Sequence, residues 1–145
     1  MTSPIASSTL PHSWPWRVGL AVMAIFYVLA GIAHFRNPQF YLALMPPDVP
    51  WQTGLINLTG IAEILGGIGL LVPNGFVFAR TRDAAAWGIV ALLVCIYPVH
   101  INMCLHPDRY PQVPLWGLWL RLLLQLPLIA WAWSYTRAPK NSPSR

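Results

Sequence analysis

The chain has 145 residues, and its composition is typical of a membrane protein. Residues of the AVILMFWYC set make up 56% of it and charged residues only 9%, with a mean hydropathy of +0.52. Ordinary soluble domains carry about 25% charged residues. Nine basic and four acidic residues are too few to cover a small soluble globule, and disorder requires low hydrophobicity. The composition therefore excludes both a soluble domain and a disordered chain.

The excess of basic residues does not indicate binding to nucleic acid. The net charge is +5 and the pI is about 9.8. Nucleic-acid binders cluster their basic residues on one face, whereas here single arginines stand at the edges of apolar runs. That arrangement encodes membrane topology. The expected environment is a lipid bilayer, and no nucleic-acid partner is expected.

Four apolar segments are each long enough to cross a bilayer core, which takes about 20 helical residues. Helices are expected because open strands would leave unpaired backbone groups in lipid. Short connectors favour an all-α, antiparallel four-helix transmembrane bundle. The predicted spans are residues 18–35, 55–72, 84–105 and 115–135. They lie in a transmembrane domain of residues 17–136, between a flexible N-terminal tail, 1–16, and a basic C-terminal tail, 137–145.

The distribution of Lys and Arg predicts the orientation of the bundle. Two basic residues, Arg36 and Arg109, lie in the first and third connectors. The terminal tails and the second connector hold six: Arg17, Arg80, Arg82, Arg137, Lys140 and Arg145. The positive-inside rule therefore places both termini in the cytoplasm.

Polar residues inside the predicted spans fall at one depth. Ionisable groups in hydrocarbon cost several kcal/mol unless they face a partner or a cavity. Counting 1.5 Å per helical residue places these groups in the outer half of the membrane, while the inner half has almost none. The residues at this level are Tyr27, His34, Glu63, Tyr97, His100, Arg121 and Gln125.

Helical spacing groups some of these residues with each other and with glycines. Gly60, Glu63 and Gly67 share one face of the second predicted helix, and Arg121 and Gln125 lie four residues apart on the fourth. Glycines at such positions allow a neighbouring helix to approach closely.

Glu63 and Arg121 are the only acid and the only permanent cation well inside the spans. Each would be costly alone, so we expect them to be ionic partners in the bundle interior. Two interpretations remain open. The pair either fixes the helix register only, or it forms the centre of a functional site with the nearby histidines.

Other chemistries are less favoured by the sequence. His34 and His100 are candidate haem ligands, and together with Glu63, and Cys104 or His106, they are candidate metal ligands. Few ligands support either, so haem and metal are not expected. The sequence contains no GxxxxGK[ST], HExxH or GxSxG motif, and therefore assigns no catalytic residue and no reaction.

The first connector, residues 36–54, is apolar yet rich in proline, which rules out a long helix. We expect a short interfacial element, broken at Pro46 and Pro47, that covers the outer end of the bundle and roofs the polar level. A lipid-surface anchor with no role in the site is the alternative.

Several runs resemble, in the same order, blocks of the DoxX family of small bacterial membrane proteins. They cover most of the chain and are GIAHF (31–35), MPP (45–47), GIAEILGGIGLL (60–71), AAWGIVAL (85–92), PVHINM (98–103) and LWLRLLLQLPLIAWAW (118–133). The resemblance implies a four-helix protein of the bacterial inner membrane. The residues that match recurrent polar positions of that family are His34, Glu63, Asn102, Arg121 and Gln125.

The DoxX resemblance also implies a function. Members of the family are described as subunits of quinol or thiosulfate–quinone oxidoreductase systems, or as membrane partners of redox and detoxification proteins. The expectation is a redox-associated, quinone-linked accessory subunit with a redox protein as partner. The alternative is a non-enzymatic protein that binds a small molecule or lipid, or that assembles a membrane complex. This chain lacks the cysteine pair of some redox-associated relatives.

Overall fold

The computed structural model describes residues 14–136, and helices are the regular secondary structure of that part. The elements are α1 (Trp14–Arg36), α2 (Pro38–Leu42), α3 (Gln52–Leu71), α4 (Thr81–Leu105), a short 3-10 helix (Pro107–Arg109) and α5 (Leu115–Ser134). Four of them, α1, α3, α4 and α5, are long and apolar enough to cross a membrane. The chain is therefore all-helical in its described part and has the helices of a multi-pass membrane protein.

Each predicted span falls on one of the four long helices, but α1, α3 and α4 begin earlier than the apolar runs, whereas α5 begins at the predicted residue. Residues 14–16, predicted as tail, belong to α1, and α4 begins at Thr81. Hydropathy detects the part of a helix in hydrocarbon, whereas backbone hydrogen bonding continues into the polar flanks. The predicted tail segments 1–13 and 137–145 lie outside the described residues.

The contact between α1 and α3 is the most extensive in the molecule and depends on glycine. A Cβ atom on Gly31 would lie 2.5 Å from the carbonyl oxygen of Gly60. A Cβ atom on Gly67 would lie 2.7 Å from the carbonyl oxygen of Ala24. The two backbones therefore touch at both points, as small residues allow in membrane helix pairs.

One end of the bundle, here called the closed end, is packed with apolar side chains. All four long helices contribute to this core, which includes Met23, Leu70, Ile89 and Ala132. Trp16 also packs edge-on against Tyr135, with ring centroids 5.3 Å apart. The beginning of α1 and the end of α5 therefore meet there.

At the closed end, a buried carboxylate joins the connector between α3 and α4 to the start of α4. Asp83 accepts hydrogen bonds from Asn74 Nδ2 at 2.8 Å and from Arg80 Nε at 3.0 Å. The Asn74 side-chain oxygen in turn accepts the backbone N–H of Arg82 at 2.8 Å. These bonds hold the first turn of α4, whose N–H groups have no partner within the helix.

The opposite end is covered by the connector between α1 and α3, residues 37–51, here called the roof. Leu44 of the roof packs in a second small core with Met103, Tyr110 and Leu118. The roof is also held by the side-chain amide of Gln112, which donates to the Ala43 carbonyl at 2.9 Å. Beneath the roof, α1 packs on α3 and hardly contacts α5.

Candidate functional site

A cavity of about 540 Å³ lies beneath the roof, among α1, α3, α4 and α5. Sites for small molecules commonly occupy about 300–1,000 Å³ and combine apolar walls with a few polar groups. Roof residues Leu44, Met45 and Val49 line the cavity, so the predicted roof over the polar level is confirmed. Most of the predicted site residues line it as well: Tyr27, His34, Glu63, His100, Arg121 and Gln125.

His34 and Glu63 meet where the glycine contact brings α1 against α3. His34 Nδ1 lies 3.1 Å from the carbonyl oxygen of Ile56, which can only accept, so Nδ1 carries a hydrogen and donates it. His34 Nε2 then faces Glu63 Oε2 at 3.5 Å. A lone pair on Nε2 and an ionised carboxylate would repel each other, so this arrangement favours one proton held by the pair.

The predicted direct ion pair between Glu63 and Arg121 is not formed. Among residues 14–136, the ionisable partner of Glu63 is His34, and Arg121 has no carboxylate partner. Both side chains line the same cavity, but α3 packs mainly on α1 and α4 and not mainly on α5. Equal depth along two helices does not make those helices neighbours.

Tyr41 of the roof lies near both charged groups. Its ring stacks on the His34 imidazole with centroids 3.8 Å apart. Burial raises the pKa of Tyr41, the Glu63 carboxylate raises it further, and Arg121 lowers it, so the phenol is close to both. Tyr41 was not among the predicted site residues. The sequence feature that could have indicated Tyr41 is its position in an aromatic connector that is interrupted by prolines.

Three buried polar atoms around the cavity have no hydrogen-bond partner among the described residues. They are Tyr27 Oη, His100 Nδ1 and Glu63 Oε2, whose 3.5 Å contact with His34 Nε2 is an ion-pair contact without hydrogen-bond geometry. An unpaired buried polar group costs about 1–3 kcal/mol, so such atoms normally bind water, an ion or a ligand. Gln125 differs because its amide donates to the Leu93 carbonyl at 2.7 Å. Its role is to join α5 to α4.

Two predicted site residues lie away from the cavity. Asn102 Oδ1 accepts the Tyr110 hydroxyl at 3.2 Å and so joins α4 to the following connector. Tyr97 does not line the cavity either. Residues on α4 that do line it, such as Ile96 and His100, lie on a different face of the helix. Within residues 14–136, no group of three His, Cys, Asp or Glu side chains is placed to hold a metal ion.

Comparison with known protein families gives a match over most of the chain. A family model described as a domain of unknown function, DUF8561, matches residues 23–136. No curated protein and no solved structure matches the chain. The matched segment includes every residue that lines the cavity, from Phe26 on α1 to Leu128 on α5. The chain belongs to the DUF8561 family.

Proposed function

We propose that the chain is an antiparallel four-helix protein of the bacterial inner membrane with both termini in the cytoplasm. The order of the glycine contacts supports the antiparallel arrangement, because Gly31 meets Gly60 whereas the earlier Ala24 meets the later Gly67. The basic residues of the sequence support the orientation. The roof then faces the outside. The resemblance to the DoxX family supports the bacterial inner membrane.

The cavity beneath the roof binds the headgroup of a quinone. The observation that carries this proposal is the set of three unpartnered polar atoms, on Tyr27, Glu63 and His100, around one apolar cavity. A quinone headgroup is a flat apolar ring with oxygens on opposite sides. A quinol hydroxyl would donate to Glu63, while Arg121 would donate to the oxygen on the other side.

The cavity also has room for an apolar tail to reach the bilayer. Phe26 on α1 and Cys95 on α4 line the cavity, and both residues are also exposed. Membrane quinones carry long apolar tails. A ligand of this kind would keep its head under the roof while its tail extends between the helices into lipid.

The proposed role is that of a redox-associated accessory subunit. Reduction of a quinone consumes two electrons and two protons. The His34–Glu63 pair is placed to transfer the two protons to the bound ring one after the other, taking up each from the roof side, whereas a partner redox protein would supply the two electrons. The resemblance to the DoxX family is the second support for this role.

The first test identifies the molecules that co-purify with the protein. The protein is purified in mild detergent, and its extract is analysed by mass spectrometry and absorption spectroscopy. A stoichiometric quinone is the expected result. A stoichiometric lipid without quinone would support the non-enzymatic lipid-binding alternative. A persistent protein partner without any small molecule would support the assembly alternative.

A matched pair of variants tests the site itself. Tyr27→Phe removes an unpartnered buried hydroxyl, and Tyr97→Phe makes the same change away from the cavity. Quinone titration by calorimetry should show affinity about 5- to 10-fold weaker for Tyr27→Phe, the effect of one lost hydrogen bond. Without quinone, Tyr27→Phe should be at least as stable as the unsubstituted protein. Equal affinities for the two variants would contradict the proposed site.

A further inference from the structure

Arg121, the permanent cation that lines the cavity, has no acidic partner among the described residues. The Arg121 guanidinium lies 6.0 Å from the centre of the Phe40 ring and close to Tyr41 and His100, but pairs with no carboxylate of residues 14–136. Glu63 is the one acidic residue among those that line the cavity. An arginine is permanently charged, and an uncompensated cation within a membrane span is costly.

The His34–Glu63 pair does not supply the missing negative charge. With one proton between them, the pair is either a neutral imidazole beside a neutral carboxylic acid or an imidazolium beside a carboxylate. Its net charge is zero in both forms. The cavity therefore carries one uncompensated positive charge, that of Arg121, directly beside apolar walls.

We propose that the cavity selects an amphiphile whose head carries one ionised oxygen, and that Arg121 binds this oxygen. The inference rests on the proposed binding function and specifies its ligand class. Arginine presents a planar fork of N–H donors that matches two neighbouring oxygens. Two chemical sources provide such oxygens on an apolar body: an acidic hydroxyquinone, with its enolate beside a ring carbonyl, and a long-chain carboxylate.

The test compares pairs of probes that differ in charge. One pair is 2-hydroxy-1,4-naphthoquinone, an enolic acid ionised at neutral pH, and its neutral 2-methoxy ether. The other is decanoate and methyl decanoate. Calorimetric titration of the full chain in nanodiscs should show tighter binding of the ionised member, by about 10- to 100-fold, because its hydrogen bonds to Arg121 are charge-assisted.

Two variants locate the charge that the probes detect. Arg121→Gln should abolish the preference for the ionised probe, whereas Arg109→Gln should preserve it. Arg109 is a matched control, since it is an arginine near the roof whose contact is Asp48, outside the cavity. If Arg121→Gln does not fold, the unsubstituted chain is titrated at falling pH. Affinity for the hydroxyquinone should then fall to that of the ether as the probe becomes protonated.

The outcomes separate this inference from the proposed function. Equal binding of both members of each pair would overturn the preference for an ionised head while quinone binding stands. Binding of decanoate alone, lost in Arg121→Gln, would support the ionised head and contradict the quinone. A preference for the ionised probes that survives in Arg121→Gln would overturn the role of Arg121. Failure of all four probes to bind would overturn both proposals.

Discussion

Replacing Gly31 with alanine tests whether the contact between α1 and α3 sets the geometry of the site. The new Cβ would lie 2.5 Å from the Gly60 carbonyl oxygen and 2.7 Å from Ile64 Cγ1. Carbon and oxygen atoms normally stay about 3.3 Å apart, so the helices must separate by about 0.8 Å. Overpacking of this kind costs about 1–3 kcal/mol. The gain in helix propensity is only about 1 kcal/mol, so a net loss of up to about 2 kcal/mol is expected.

The assay is reversible unfolding in mixed detergent micelles, with Gly88→Ala as the matched control. A Cβ atom on Gly88 would have no neighbour within 4 Å, so this variant gains helix propensity without a clash and should equal or exceed the unsubstituted protein in stability. Gly31→Ala should also weaken quinone binding, because His34 moves away from α3. Equal stability of Gly31→Ala and Gly88→Ala would refute the packing argument.

Two further predictions concern the ends of the bundle. Asp83→Ala should lower the unfolding free energy by about 1–3 kcal/mol because it removes the hydrogen bonds that this buried carboxylate accepts from Asn74 and Arg80. Asp48→Ala, which removes an exposed carboxylate 3.7 Å from its arginine, should change it by at most about 0.5 kcal/mol. Chemical denaturation compares the two, and equal losses would contradict the first prediction. At the roof, Tyr41→Ala removes the ring stacked on His34 and should speed quinone dissociation in stopped-flow measurements, whereas Tyr41→Phe keeps the ring and should not. Equally slow release from both would show that the ring does not retain the ligand.

Depth could be predicted from the sequence because it depends only on position along a helix. The rise of 1.5 Å per residue was enough to place His34, Glu63, His100 and Arg121 at one level, and all four line the cavity. Which helices become neighbours depends on packing that no single segment contains. Arg121 was therefore predicted beside Glu63, whereas the glycine contact places His34 there.

For the roof, too, one part could be predicted from the sequence and another part depends on packing. Its existence follows from an apolar segment that proline keeps from forming a long helix. The stacking of Tyr41 on His34 depends instead on the path of the chain between α1 and α3, through a left-handed residue at Trp51 with a φ of 57°. The direction in which the side chains of α4 point could not be predicted from the sequence either. Tyr97 has the predicted depth but does not line the cavity, and neither does Asn102, which the DoxX resemblance had indicated.

The apolar core of the closed end has an energetic consequence for a cell that maintains a proton gradient. Met23, Leu70 and Ile89 are at most 1% exposed, and they separate the His34–Glu63 pair from the closed end. Protons cross a layer of apolar side chains very slowly, because such side chains form no hydrogen bonds along which a proton could move. We therefore expect the pair to exchange protons with the compartment on the roof side. In the proposed role, proton binding and release at the pair would then leave the gradient across the membrane intact.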